Sequence, residues 1–283
     1  MKICILTNGF KLSTKSSLIF PFYAFKKELL NNKINFNITE KINKIKKNDV
    51  LIIDSKFFYY EYSDKKIIKT IKILKNLKKK TKKLVFFDTS DSTGPIEIKI
   101  IEHVDLYLKH QIFKKKTYYL KDLYGGRLYT DYYNSNHNIK DIKPTFQKKI
   151  YKSYLDKIQV GWNIGLSDYT IFSNIKFKIY KWLSFIKPKK FPKINYVGKK
   201  NIDFLLNFNL RYKNNTIGFQ RVFLSKIYPE KIKKINFFRY FVMLKKSLVS
   251  VSPFGWGEIN YRDFEAIICK TVLYKPDLDH IET

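Results

Sequence analysis

The first strong pattern in the chain is an apolar run between residues 2 and 7, closed by Asn8-Gly9, after which Phe22, Phe25, Leu29 and Leu30 recur at helical spacing. A short apolar run, a turn signal and a 3.6-residue period predict strand, turn and helix in that order. Further short apolar runs follow at 34–38, at Val50 to Ile53 ending on Asp54, at Leu84 to Phe87 and at Val104 to Leu108, with a lysine-studded helical pattern from about Lys65 to Lys80. Continuous apolar strands alternating with helices belong to a parallel sheet covered on both faces. Residues 1–140 therefore read as one Rossmann-like domain.

From 141 to 200 the pattern loosens around Pro144, Pro188 and Pro192, and this stretch is expected to connect two domains. Within it, a helical pattern from Tyr169 to Ile186 places Lys176, Lys178 and Lys181 beside Trp182 and Leu183. Such a helix either lies on an anionic membrane surface or packs on the protein with its lysine stems along apolar surface. A second alternation starts at Ile202 and fills 201–283: strand Ile202 to Phe208, helices near 216–228 and 237–245, strand Ser247 to Ser252, a glycine-bearing loop, a helix from about Ile259 to Cys269, and strand Thr271 to Lys275. The expected fold class is α/β, with two Rossmann-like domains facing a cleft and the C-terminal one short or truncated.

Composition adds two things. The formal charge of +32 comes from 56 Lys and Arg against 24 Asp and Glu, a balance that suits nucleic acid, an anionic membrane or phosphate-bearing substrates. Much of it is also what A/T-rich codons produce, since the chain has two alanines and only five arginines. That scarcity makes each arginine informative, because a planar fork suits phosphate or carboxylate in a way a lysine does not. Four of the five, Arg211, Arg221, Arg239 and Arg262, lie in the last third. Cys4 and Cys269 supply no disulfide framework, and His103, His110 and His137 have no metal-ligand spacing, so no metal or cofactor is expected. The first residues lack a signal peptide's apolar core, and no uncharged stretch reaches the roughly 18 residues that span a bilayer. A cytoplasmic protein, peripheral at most on the inner membrane face, is expected.

The chemistry concentrates at Ser252-Pro-Phe-Gly-Trp-Gly-Glu-Ile-Asn-Tyr-Arg-Asp-Phe-Glu-Ala266. Gly255 and Gly257 follow a buried strand and precede a helix, where backbone amides and the helix terminus favour a diphosphate. On the expected helix, Glu258, Arg262 and Glu265 are spaced by four and three residues and share one face. That face reads either as a ligand grip or as an intrahelical ladder of ion pairs. With Trp256 beside them, these residues resemble the glycosyltransferases of the GT-B class, including bacterial polysaccharide enzymes and the exostosin-like group, in which a glycine-rich loop precedes an Arg-x-x-Glu-Ala helix. The resemblance implies a nucleotide-sugar donor in the C-terminal domain, a glycan or lipid-linked acceptor in the N-terminal one, and Glu265 as the ribose-binding carboxylate. Many retaining members have two Glu with seven residues between them; here six separate Glu258 from Glu265, and Gly257 holds the first position, so inverting and retaining outcomes both stay open.

Arg221, in Gly218-Phe-Gln-Arg221, stands where such enzymes commonly place a cation for the leaving diphosphate; a surface arginine is the plain alternative. In the first half Asp88 and Asp91 follow a strand, where open α/β sheets gather ligand groups, and either could be the general base; a turn-capping Asp is the plain reading of each. Gly125-Gly126-Arg127 looks like a ligand loop or a packed turn. The expected function is transfer of a sugar from a nucleoside diphosphate in surface polysaccharide synthesis, with Asp88, Asp91 and Glu258 as catalytic candidates and Arg221, Gly255, Trp256, Gly257, Arg262 and Glu265 as donor contacts. The alternatives are a basic nucleic-acid-binding protein, which no zinc finger, helix-turn-helix or RNP motif supports, and a truncated nucleotide-binding non-enzyme.

Overall fold

A computed structural model describes residues 1–8, 15–58, 64–167, 198–231 and 235–283. The predicted helix at 169–186 and the basic run at 187–193 lie outside these residues. The chain is α/β and builds two parallel sheets. The first has the order β2-β1-β3-β4-β5-β9, from β1 (Lys2–Leu6), β2 (Asn35–Thr39), β3 (Asn48–Asp54), β4 (Thr81–Asp88), β5 (Leu106–Lys109) and β9 (Ile158–Val160), every pairing parallel.

The strands are apolar throughout because both faces are covered. Alternate residues supply two cores: Leu6, Leu51, Ile53, Leu84 and Phe86 pack on one face with Ile67, Leu74 and Leu77 of α3 (Asp64–Lys78), while Ile5, Ile52, Val85 and Phe87 pack on the other with Leu18, Ile19, Phe20 and Phe22 of α1 (Lys15–Ala24). The single N-terminal helix expected from the apolar spacing is broken into α1 and α2 (Lys26–Asn31).

The sixth strand is a departure. β9 comes from residues read as interdomain connection, so the first unit extends past 140; with only Ile158 buried among its three residues, β9 has no readable periodicity.

The second sheet has the order β10-β11-β12, from β10 (Ile202–Leu205), β11 (Ser247–Val251) and β12 (Val272–Tyr274), again parallel. Its core gathers Leu205 with Tyr240 and Leu244 of one helix (Phe237–Lys246) and Ala266 and Cys269 at another (Tyr261–Ile268). With α4 (Ile98–Ile101), α5 (Leu128–His137) and α6 (Asn215–Ile227) preceding them in the chain, these two helices are α7 and α8.

Among the described residues the two halves are joined in several places, three of which frame the junction. Tyr129 and Tyr133 of α5 pack with Phe254, Phe219 of α6 and Leu278. The strand β13 (Ile281–Glu282) returns to pair antiparallel with β6 (Ile112–Phe113), and a second small ribbon pairs β7 (Leu123–Tyr124) with β8 (Phe146–Gln147). The third junction is where the loop after β4 meets the loop after β11. Ligands of open α/β sheets bind outside the carboxyl ends of strands. Here two such ends face each other.

Candidate functional site

At the end of β4, Asp88 and Asp91 have opposite environments. Asp88 is buried: its Oδ2 accepts from Lys109 Nζ at 2.6 Å and Tyr107 OH at 3.0 Å, and its Oδ1 from the Ser90 amide at 2.9 Å. Burial alone would raise its carboxyl, but the Lys109 charge and these hydrogen bonds outweigh it and hold Asp88 below the usual carboxylate range. Lys109 is itself sealed in, donating also to Pro95 O at 2.8 Å. This corrects the expectation for Asp88: its oxygens are occupied by an ion pair that shapes the loop, and it cannot take a proton from an acceptor.

Asp91 is exposed at the junction. Desolvation by its crowded surroundings raises its carboxyl, with Asp88 and Glu258 adding to the rise and the Lys56 and Arg127 charges opposing it. An exposed carboxylate raised above its ordinary value is a candidate general base. His110 does not compete for that role. Buried, with its ring nitrogens against Trp162 O at 2.6 Å and Ser17 Oγ at 3.2 Å, it is pushed down to about 4 by desolvation.

Glu258 is not on the helix. Asn260 is the N-cap of α8, closing a capping box with Asp263, so Glu258 stands two residues ahead of it in the loop and points away from Arg262 and Glu265 into the first half. Fully buried there, its carboxylate accepts from the Thr93 amide (3.2 Å), the Thr93 hydroxyl (2.6 Å), Gln111 Nε2 (3.0 Å) and Ser92 Oγ (3.4 Å). The three-residue face therefore reduces to Arg262 and Glu265, and Glu258 is a tie between the halves rather than a group open to substrate. The spacing signal misled because the cap at Asn260 starts α8 at Tyr261, two residues past the expected Ile259, and leaves Glu258 outside the helix.

The glycine loop is more enclosed than expected. Gly255 N donates to Gly257 O, and Gly255 O accepts from Tyr129 OH at 2.5 Å. A Cβ on Gly257 would sit 1.7 Å from the Asp91 carbonyl oxygen, so only glycine allows the two loops to touch. Trp256 between them is 47% exposed. Arg221 is buried, giving Nε to Phe254 O at 2.7 Å and Nη1 to Asn209 O at 3.2 Å, with its guanidinium over the Tyr212 ring at 5.0 Å. The expectation of a diphosphate contact is corrected accordingly: Arg221 holds the loop from beneath by its carbonyls.

On α8, Arg262 and Glu265 do share a face, directed toward α7. Tyr240 OH donates to Glu265 Oε2 at 3.0 Å, and the Arg262 Nε is buried without an acceptor. Desolvation raises the Glu265 carboxyl, opposed by the Tyr240 hydrogen bond and the Arg262 charge.

Three further groups meet at the junction: Arg127, from the Gly125-Gly126-Arg127 loop that the sequence offered as a ligand loop or packed turn, and the pair Lys275 and Asp263, which it did not single out. Arg127 donates from Nε to Trp256 O at 2.8 Å and from Nη1 to Gly125 O at 2.6 Å, with its guanidinium 5.5 Å from the Trp256 ring centroid. Lys275 and Asp263 form a buried ion pair at 2.6 Å that also reaches Glu258 O, bracing the loop. The Asn-x-x-Asp spacing signalled the Asp263 cap; nothing marked Lys109, Gln111 or Lys275 among so many lysines and amides. A cleft of about 390 Å³ runs between the halves beside Lys140, Tyr212, Asn215 and Phe219, and the Tyr212 ring lies 6.0 Å from Trp256. Among the described residues, no group of three or more His, Cys, Asp and Glu could hold a metal ion, and no helix is long and apolar enough to cross a membrane.

No family model matches the sequence, and no curated protein shows significant similarity to it. Among solved structures, the chain is similar to an alpha-glucosyltransferase in complex with UDP and a 13-mer DNA containing an HMU base, at 10% identity and a TM-score of 0.39, covering 97% of this chain and 79% of that one. A structure of an alpha-glucosyltransferase with UDP-glucose and DNA containing an abasic site matches over the same shares at 10% identity and a TM-score of 0.38.

Proposed function

We propose that this protein is a nucleotide-sugar glycosyltransferase that works at the junction of its two halves. One observation carries the reading: an exposed carboxylate of raised proton affinity, Asp91, stands where the carboxyl ends of two parallel sheets meet. In this reading Asp91 takes the proton of an acceptor hydroxyl as its oxygen attacks the anomeric carbon. The bond to the nucleoside diphosphate breaks, and the configuration inverts. The donor's nucleoside is assigned to α8, where Glu265 would exchange its Tyr240 partner for ribose hydroxyls and the unpartnered Arg262 Nε would gain an acceptor. Gly255 and Gly257 then serve by letting the loops approach rather than by offering amides, and Trp256 is the loop's exposed surface.

The acceptor in this reading is a glycan or lipid-linked hydroxyl of the surface-polysaccharide type. A nucleic-acid acceptor is a second reading, favoured by charge: between Lys41 and Lys83 twelve described lysines are exposed. Thermal-shift titration with UDP, GDP, CDP and ADP, beside single- and double-stranded oligonucleotides, tests both. A nucleoside diphosphate at 100 times its dissociation constant adds about 2.7 kcal/mol of stability. Stabilisation by oligonucleotides with none by any nucleotide would remove the transferase reading. A donor-library assay with NMR of the product then decides sugar and stereochemistry, and retention at the anomeric carbon would remove Asp91 as base.

A further inference from the structure

Arg127 is the only arginine before residue 211, in a chain where lysine is the ordinary cation. It occupies the N-cap position of α5, where the helix dipole disfavours positive charge, and its side chain makes no cap hydrogen bond. Nε and Nη1 each serve a carbonyl, Trp256 O and Gly125 O, and among the described residues Arg127 forms no ion pair and its Nη2 no hydrogen bond. A cation kept in such a place, oriented by two carbonyls and left with an open donor edge, is poorly explained by stability and well explained by an anion that joins it.

We propose that Arg127, with the Trp256 ring beside it, is a phosphoryl-binding subsite bridging the two halves. The guanidinium is fixed before any ligand arrives: Gly125 and Gly126 turn through φ of +63° and +75°, and Gly94 is wedged against the Gly126 carbonyl with no room for a Cβ. The half-exposed indole supplies a flat apolar wall next to the charge. Asp91 lies within reach of the Arg127 field, so a phosphoryl group held here places the remainder of the substrate next to the proposed base. The donor set is a fork of N–H groups, which suits the paired oxygens of a phosphate better than a hydroxyl. The proposal rests on the glycosyl-transfer reading only for what carries the phosphoryl group: the diphosphate of the donor, or a phosphate on the acceptor.

The test is calorimetric titration of the full chain with UDP, GDP, CDP and ADP, their parent nucleosides, inorganic pyrophosphate and glucose 1-phosphate, for wild type, Arg127→Ala and Arg127→Lys. The expected result is that at least one phosphorylated probe binds the wild type, and that Arg127→Ala loses at least about tenfold in its affinity, with Arg127→Lys between. A purely structural Arg127 would weaken nucleoside and nucleoside diphosphate alike, so the ratio of the two is the deciding number. An unchanged ratio in both variants, or no phosphorylated probe bound by wild type, overturns the subsite. Arg127-dependent binding of glucose 1-phosphate without any nucleotide binding would keep the subsite, assign it to the acceptor and remove the nucleotide-donor reading. If Arg127→Ala fails to fold by circular dichroism, Arg127→Lys and Arg127→Gln carry the same comparison.

Discussion

The Glu258 carboxylate of the second half closes on Thr93 of the first, accepting from both its amide at 3.2 Å and its hydroxyl at 2.6 Å. With Gln111 Nε2 as a third strong donor and the carboxylate fully buried, this is one of the polar ties that hold the two halves together. Removing the acceptor leaves the buried Thr93 amide and hydroxyl without their partner and takes one of two acceptors from Gln111 Nε2. Glu258→Ala is expected to cost about 2–4 kcal/mol and to split the thermal transition as the halves uncouple. Differential scanning calorimetry checks it; a single transition with an unchanged midpoint would refute the tie.

Asp88 at the end of β4 and Lys109 at the end of β5 make a buried pair. Lys109→Met leaves the carboxylate uncompensated, for an expected loss of about 3–5 kcal/mol in chemical denaturation. Because Asp88 is held below its ordinary range in the fold, its stabilising contribution is complete above the unfolded carboxyl value near 4 and fades as pH falls through the lower folded value. Wild type should therefore lose stability on acidification below about pH 4, and Asp88→Asn should flatten that part of the profile.

For Glu265 the sign is reversed. Its raised carboxyl favours the protonated form in the fold, so its contribution is greatest below the unfolded value and is lost as pH rises through the folded one. Glu265→Gln, which can still accept from Tyr240, is expected to melt higher than wild type at neutral pH, with the gain shrinking in acid, while losing nucleotide affinity. Parallel melting curves and calorimetric titrations check both halves of that statement; unaltered nucleotide affinity would take Glu265 out of the donor site.

Asp91→Asn keeps the size and most of the polarity of an exposed side chain, so the fold should tolerate it. Transfer is expected to fall by about 10²-fold or more, as for loss of a general base, with nucleotide affinity retained. Activity within a few fold of wild type would show that another group takes the proton.

Gly257→Ala drives a methyl into the Asp91 carbonyl oxygen, which a Cβ would meet at 1.7 Å. Neither loop can yield without disturbing Glu258, so a destabilisation of about 1–3 kcal/mol or more is expected in denaturant titration. A neutral substitution would mean that the loops are not in contact.

The β/α order was written in the chain wherever a strand is buried on both faces. Ile5 and Leu6, Ile52 and Ile53, and Val85 and Phe86 must each be apolar because neighbouring residues serve opposite cores. The glycine loop, the start of α8 near Asn260, and the shared face of Arg262 and Glu265 were legible on the same footing, as local rules of turns and helical spacing. Three-residue β9, with one buried position, was too short to show a period. Partnership was not legible at all. Asp88 and Asp91 are three residues apart with similar neighbours in sequence, and one became a sealed ion pair while the other stayed at the surface, because Lys109 arrives from the next strand and reaches only the first. Glu258 was claimed by Thr93, 165 residues away, and Arg221 by the carbonyls beneath its own loop. Local propensity and periodicity are properties of neighbouring residues and can be read in order. The charge a buried side chain keeps, and what it faces, depends on which distant groups the packing brings within about 3 Å, and only the folded chain decides that.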